Sequence, residues 1–312
     1  MRTKLFALLL AIVASSCVAF ADKTYIGDLY YNLNTTNRTA TVIHPDYGGS
    51  QYEGADYYKG LTSANIPASV QYNGIDYKVL SIGERAFEGC EDLISVVIPN
   101  GLETIEENAF SLCDGLTSIT VPESLKSMAQ HAFFMCHNLN SVEWNAIECE
   151  DMYCCSPWFF MPGTAPITSF SFGEKVAHIP AHLCQQLETL ISVEIPNSVT
   201  SIGESAFEDC TNLVAIYNHG ITPAEVYSAL FGTAFDGVDK STCKLYVPSA
   251  SISLYQNAPV WRDFYNIEAI EDAMAIDEVE VDGSHGQKVI RNGQVLIERG
   301  NKTYTLQGAE VQ

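Results

Sequence analysis

Apolar positions in this chain recur on a long period, not on the short periods of a single helix or strand. With Ile82, Ile105, Met128, Ile179 and Ile202 as anchors, Ala86, Ala109, Ala132, Leu183 and Ala206 follow four residues later. Phe87, Phe110, Phe133, Cys184 and Phe207 stand at offset five, and Cys90, Cys113, Cys136, Leu187 and Cys210 at offset eight. Offset eleven is always leucine (Leu93, Leu116, Leu139, Leu190, Leu213), and offset fourteen is Val96, Ile119, Val142, Val193 or Ile216. The anchors 82, 105 and 128 are 23 residues apart, as are 179 and 202. Self-similarity at such a period is the signature of a repeat architecture.

Each unit begins L-x-x-V-x-I-P, whose alternation is that of a short strand with one face inward. Pro99, Pro122 and Pro196 close the strands, since proline cannot extend a hydrogen-bonded ladder. The second half, as in Ser81–Cys90, has apolar positions at mixed spacing and fits a short strand or a helical turn. A unit of this size cannot bury its own apolar face, so units must stack and share a core. The pattern predicts an α/β-type repeat solenoid with one short parallel strand per coil. The gap from 128 to 179 is 51 residues, five more than two repeats, so one coil around 145–166 is longer. The pattern resumes at Ile167, Phe170, Phe172, Val176 and Ile179.

The run from Ile195 through Ser201-Ile202-Gly203 and Ala206-Phe207 to Leu213 resembles the repeat of the BspA-like leucine-rich repeat family of exported bacterial surface proteins. The resemblance covers about residues 66–218. Gly27–Leu33 with Thr39–Val42 is similar to that family's N-terminal hairpin cap. Cys243–Pro248 with Tyr255–Phe264 is similar to its C-terminal cap. The resemblance implies a leucine-rich repeat fold and adhesion to host proteins or other cells. The long coil and Cys184 in the phenylalanine column depart from the family pattern.

The flanks divide the chain further. Arg2 and Lys4, the apolar run Leu5–Val13 and Ala19-Phe20-Ala21 read as a signal peptide over 1–21. A rival reading takes Ser15-Ser16-Cys17 as the end of a lipobox, with acylation of Cys17. The expected order is then an N-terminal β cap over 22–65, the solenoid over 66–218 and a C-terminal cap over 219–270. An acidic linker (271–283) and a β-hairpin tail (284–312) follow, the tail a candidate sorting or anchoring segment. No other stretch is long and apolar enough for a transmembrane segment. Apolar residues make up 47% of the chain and its net charge is −22, so nucleic acid is an unfavourable partner.

Chemistry-bearing residues are numerous but unpatterned. Cys90, Cys113, Cys136 and Cys210 share one inward column, where reduced core thiols are expected; register distance leaves inter-coil disulfides open. Cys149, Cys154 and Cys155 lack zinc-site spacing, and a local disulfide is the better alternative. The seven histidines fall in no hydrolase or metalloprotease motif, and no glycine loop cradles phosphate. No metal, cofactor or catalytic residue is expected. Glu148, Glu150 and Asp151 beside Trp144 and Trp158 suggest a carbohydrate or calcium site on one reading and a solvated face on the other. The outward strand positions give a clearer surface: Ser95, Ser118, Ser141, Ser169, Ser192 and Ala215 in one column, Val97, Thr120, Glu143, Ser171, Glu194 and Tyr217 in the next. Thr120, Glu143, Ser171, Glu194, Tyr217, Trp144 and Trp158 are therefore the candidate binding residues, for a protein or glycan ligand at a cell surface. A structural envelope component and a glycan-acting enzyme centred on the long coil are the alternatives.

Overall fold

The computed structural model describes residues 23–44, 58–151, 165–229 and 232–270, together with the backbone of five strands between 279 and 311. Residues 1–21, read above as a leader and including Cys17, the residues Cys154, Cys155 and Trp158, and most of the stretch read as an acidic linker lie outside the described residues. The repeat folds as a solenoid. Its L-x-x-V-x-I segments form one wall, a parallel seven-stranded sheet (the front sheet) built from Ser118–Val121, Ser141–Trp144, Ser169–Phe172, Ser192–Ile195, Ala215–Asn218, Lys244–Val247 and Asn266–Ala269. Pairing follows the repeat, with Ser118↔Ser141↔Ser169 and Ser192↔Ala215↔Lys244 as Cα partners. The last two strands lie past the repeat proper, yet they extend the same sheet. Upstream, Ser95–Val97 pairs in parallel with Ser63–Asn65.

The second half of each coil begins as a strand and continues as a turn. The anchor Ile82 ends the strand Ile75–Ile82 and the later anchors lie in two-residue strands, which together form short parallel ladders on the opposite wall: Ile82↔Ile105↔Met128, and Ile179↔Ile202↔Val226. After each anchor the chain runs as consecutive turns whose N–H groups alternate in direction. Ala86, Glu88 and Cys90 donate to carbonyls three residues back, whereas Phe87 and Gly89 donate across to Ala109 and Ser111 of the next coil. Alternation of this kind needs positive φ at offsets three and seven. Arg85, Asn108, His131, His182 and Ser205 occupy the first position, and Leu112, Met135, Gln186 and Asp209 the second. The left-handed region costs a non-glycine residue about 1–2 kcal/mol. The hydrogen bonds between coils, repeated at every turn, offset that cost.

Between the walls lies one continuous apolar core, running from Leu29 to Phe264. Its spine is the offset-five column. Phe87, Phe110 and Phe133 stack nearly parallel at 5.2 and 5.1 Å, with Tyr58 stacked on Phe87 at 5.4 Å. Where Cys184 replaces the ring, Phe172 approaches Phe207 edge-on at 6.4 Å, and the column restarts as Phe207 on Phe235. Trp261 and Phe264 pack on Phe235, and the Trp261 indole donates to the Ala224 carbonyl. At the other end, the antiparallel strands Leu29–Asn34 and Thr39–Ile43 join the core through parallel pairing of Thr39–Ile43 with Ile75–Ile82. Both ends of the core are thereby covered, as a stacked array requires.

The tail is an antiparallel meander of Val279–Val281, Ser284–Arg291, Gln294–Arg299, Lys302–Thr305 and Glu310–Val311. It begins within the stretch read above as linker. Among the described residues, no helix is long and apolar enough to cross a membrane.

The cysteine column is buried and free. Cys113, Cys136 and Cys210 donate their S–H groups to the carbonyls of Phe87, Phe110 and Cys184 in the preceding coil, each at 3.1 Å. A thiol one coil away is not the partner, because in-register side chains run parallel and do not converge. Burial pushes the Cys136 and Cys210 thiols up to about 12 and those of Cys113 and Cys184 well above their ordinary value, so little thiolate forms. Peptide mapping after treatment with a thiol reagent should find Cys113, Cys136, Cys184 and Cys210 unmodified in native protein and fully modified in denaturant. Modification of any of them at the rate of an exposed thiol would contradict this packing.

Candidate binding face

Strand alternation divides the front sheet sharply. Ile119, Val121, Val142, Trp144, Phe170, Phe172, Val193 and Ile195 point into the core, and Thr120, Glu143 and Ser171 point to solvent. The outward column is in register over all seven strands: Thr120, Glu143, Ser171, Glu194, Tyr217, Tyr246 and Glu268. Its members also contact one another. Thr120 Oγ1 donates to Glu143 Oε2 at 3.2 Å, and Asn145 Nδ2 donates to the other oxygen at 3.1 Å. His219 Nε2 meets Glu194 Oε1 at 2.7 Å. Tyr217 and Tyr246 stack at 4.9 Å with ring planes 10° apart. Lys244 Nζ lies 3.1 Å from Glu268 Oε1 and 5.8 Å from the Tyr246 ring centroid.

Two sequence expectations need correction here. Trp144 is not a surface residue: its side chain is 0% exposed, because it shares the inward face of its strand with Val142. Its indole nitrogen has no hydrogen-bond partner in the core. Ala215, expected outward, is also buried. Trp158 lies outside the described residues. Sequence reasoning missed Tyr246, Glu268 and Lys244, which stand on strands assigned to a cap. The alternation Lys244-Leu-Tyr-Val247 carried the signal, since it matches the Ser192-Val-Glu-Ile195 pattern.

The histidines serve mostly as cross-coil links. His137 Nδ1 meets Asp114 Oδ1 at 2.6 Å. Asp151, at the edge of the long coil, accepts from His178 Nε2 at 2.8 Å and from the Ala181 N–H at 2.7 Å. His178 Nδ1 in turn meets Ser201 Oγ at 2.8 Å. This Asp–His–Ser chain has the contact order of a nucleophile relay, but the geometry beside it is that of a clamp. The Ser201 and Gly203 N–H groups are committed to the carbonyls of Ala177 and Ile179, which leaves neither to stabilise an oxyanion. Gly203 is tightly placed: a Cβ there would overlap the backbone of Ala181. Glu148 and Glu150 are exposed, and among the described residues no group of three or more His, Cys, Asp or Glu side chains is arranged to hold a metal ion.

The profile described as "BspA type Leucine rich repeat region" matches six copies, over residues 57–156, 80–214 and 156–231. The chain belongs to the BspA-type leucine-rich repeat family. A leucine-rich repeat protein of T. pallidum is similar at 19% identity and a TM-score of 0.39, over 77% of this chain and 92% of that one. One from Bacteroides ovatus has 18% identity and a TM-score of 0.31, over 79% and 76%. A leucine-rich cell surface protein of Faecalibacterium prausnitzii has 15% identity and a TM-score of 0.29, over 79% and 94%. No curated protein matches the chain.

Of the cross-coil links in this BspA-type array, His219–Glu194 borders the outward column. The hydrogen bond to Glu194 raises the imidazole above its ordinary value, against an opposing effect of burial. A raised value in the folded state means that protonated His219 stabilises the array below about pH 6.5, its ordinary value, and that this contribution is lost as pH rises through the folded value. Wild type and His219→Gln should therefore differ more in melting temperature near pH 5.5 than near pH 8. Equal differences at the two pH values would show that the pair is not coupled to folding.

Proposed function

We propose that this protein is an exported binding module that engages a protein ligand through the outward column of its front sheet, at the surface of the cell that makes it. The reading rests on one observation: seven in-register strands carry the column from Thr120 to Glu268 while the inward apolar residues between them pack in or against the core. Solenoids use such extended walls for recognition because neighbouring coils hold each side chain at a fixed spacing. Membership of the BspA-type family supports a protein-binding role. The leader pattern at 1–21 supports export, and we assign the C-terminal meander as the segment that retains the protein at the surface. A catalytic role finds no support in the Asp151–His178–Ser201 clamp, whose nearby backbone donors are already used.

The test separates binding from folding. Mature full-length protein is screened against arrays of extracellular-matrix proteins and glycans, and the hits are repeated with a variant in which Thr120, Glu143, Ser171 and Glu194 are all alanine. Substitutions at exposed sites usually change stability by no more than about 0.5 kcal/mol each. At pH 8, where the His219–Glu194 pair contributes least, the variant should thus melt close to wild type but bind its partner at least tenfold more weakly. By contrast, Leu116→Ala should cost about 2–5 kcal/mol through the cavity it leaves, and should affect binding only through unfolding. Undiminished binding by the quadruple variant would move the ligand surface off this sheet, and glycan hits without protein hits would replace the ligand class.

A further inference from the structure

The two ends of the tyrosine pair are built differently. At the Tyr246 end the chain supplies a complete cation site: Lys244 Nζ lies 5.8 Å from the ring centroid and 3.1 Å from Glu268 Oε1. Glu268 reaches that position because it pairs with Tyr246 across neighbouring strands. At the Tyr217 end, Glu194 pairs with Tyr217 in the same way. A ring and a carboxylate are again side by side, but the row that carries Lys244 reads Ser192 and Ala215 here. No ammonium stands in that row here, and the Glu194 carboxylate is met at one oxygen by the His219 ring from beyond the strand end.

Other contacts around this end leave room for one. Glu194 is engaged at one oxygen, by His219 Nε2 at 2.7 Å. The Tyr217 phenol is raised above its ordinary value, mainly by burial and then by the neighbouring Tyr246 and Glu194, with Lys244 acting in the opposite direction, so both the Glu194 and the Lys244 charges reach the ring. Just before the same two strands, Ile191 is 56% and Val214 50% exposed, giving apolar surface along which the stem of a lysine or arginine could lie. The chain carries a net charge of −22, which favours a cationic partner and disfavours a nucleic acid.

We propose that Glu194 and Tyr217 form a receptor for a lysine or arginine side chain of the protein partner, completing at one end of the tyrosine pair what Lys244 completes at the other. The proposal rests on the reading of the front sheet as a binding face and specifies the chemistry it recognises: a basic protein segment whose guanidinium or ammonium sits against the Tyr217 ring and the Glu194 carboxylate.

The probe is a short neutral-capped peptide with a single arginine, titrated into the full-length protein at physiological salt while tyrosine ring resonances are followed. A control peptide carries citrulline, which keeps the shape and removes the charge. The arginine peptide should shift the Tyr217 and Tyr246 signals saturably, and the citrulline peptide should not. Glu194→Gln and Tyr217→Ala should each weaken the response at least fivefold, whereas Tyr217→Phe, which keeps the ring, should retain it. Lys244→Ala should open the Tyr246–Glu268 end and raise the stoichiometry from one peptide to two. Equal shifts with both peptides, or a Glu194→Gln variant that titrates as wild type, would overturn the proposal. Because this titration needs no natural partner, the two readings fail separately. A silent titration alongside a quadruple variant that loses its ligand removes the cation site and leaves the binding face. A positive titration, with Glu194→Gln alone weakening partner binding as much as the quadruple variant does, keeps the cation site and withdraws the wider face, whereas a quadruple variant that binds its partner normally overturns both.

Discussion

Stacking between coils is the interaction on which this molecule depends. Phe110 is in ring contact with Phe87 on one side and Phe133 on the other, each from a different coil, so its burial exists only when three coils are in place. The same holds for the backbone. Phe87 N–H finds its acceptor on Ala109, and Phe110 on Ala132, so the positive-φ turns are satisfied only by a neighbour. Stability of such an array is a sum of terms between neighbours, and each term is void without the coil that supplies its other half. The ends must therefore be closed by something other than a repeat. The N-terminal hairpin strands do this on one side, and Trp261, Tyr255 and Phe264 on the other.

From this constraint follows the division of labour across the front sheet. A strand whose inward residues are held by the core presents its alternate residues at a fixed height and spacing, whatever those residues are. The outward column is thus free to carry chemistry, and its composition changes along the array. It runs from Thr120 and Glu143 through Ser171 to an aromatic and charged group of Glu194, Tyr217, Tyr246 and Glu268, with Lys244 beside it in the neighbouring row. The richest part of the face lies where the regular repeat gives way to the strands beyond it. Departures from the repeat also mark the other polar constructions. Asp151, at the edge of the long coil, is the residue that draws His178, Ser201 and the Ala181 N–H together.

The cysteines illustrate why context outweighs count. Ten cysteines in a chain with a leader pattern would ordinarily suggest a disulfide framework. In a solenoid, equivalent residues in neighbouring coils project in parallel, and each S–H turns to a backbone carbonyl of the coil before it. Burial then suppresses the thiolate, which removes the reactive form that oxidation needs.

Much of the fold was legible in the chain because the repeat states the same solution several times over. Columns at offsets four, five, eight, eleven and fourteen name the core directly, and the 23-residue spacing names the strand register. The outward positions Thr120, Glu143, Ser171, Glu194 and Tyr217 follow from alternation alone. The same alternation, applied to Val142 and Trp144, also places Trp144 inside. What one coil's sequence does not encode is what another coil brings to it. The pairing of Lys244–Val247 and Asn266–Ala269 with the repeat sheet, the stacking of Tyr217 on Tyr246 and the linking of Asp151 to His178 and Ser201 join residues from 22 to 50 positions apart, most of them off the 23-residue spacing. Periodicity fixes contacts between equivalent positions, because each copy predicts the next. Contacts at the ends and at the irregular coil have no copy to predict them, and only the folded chain decides which side chains meet there.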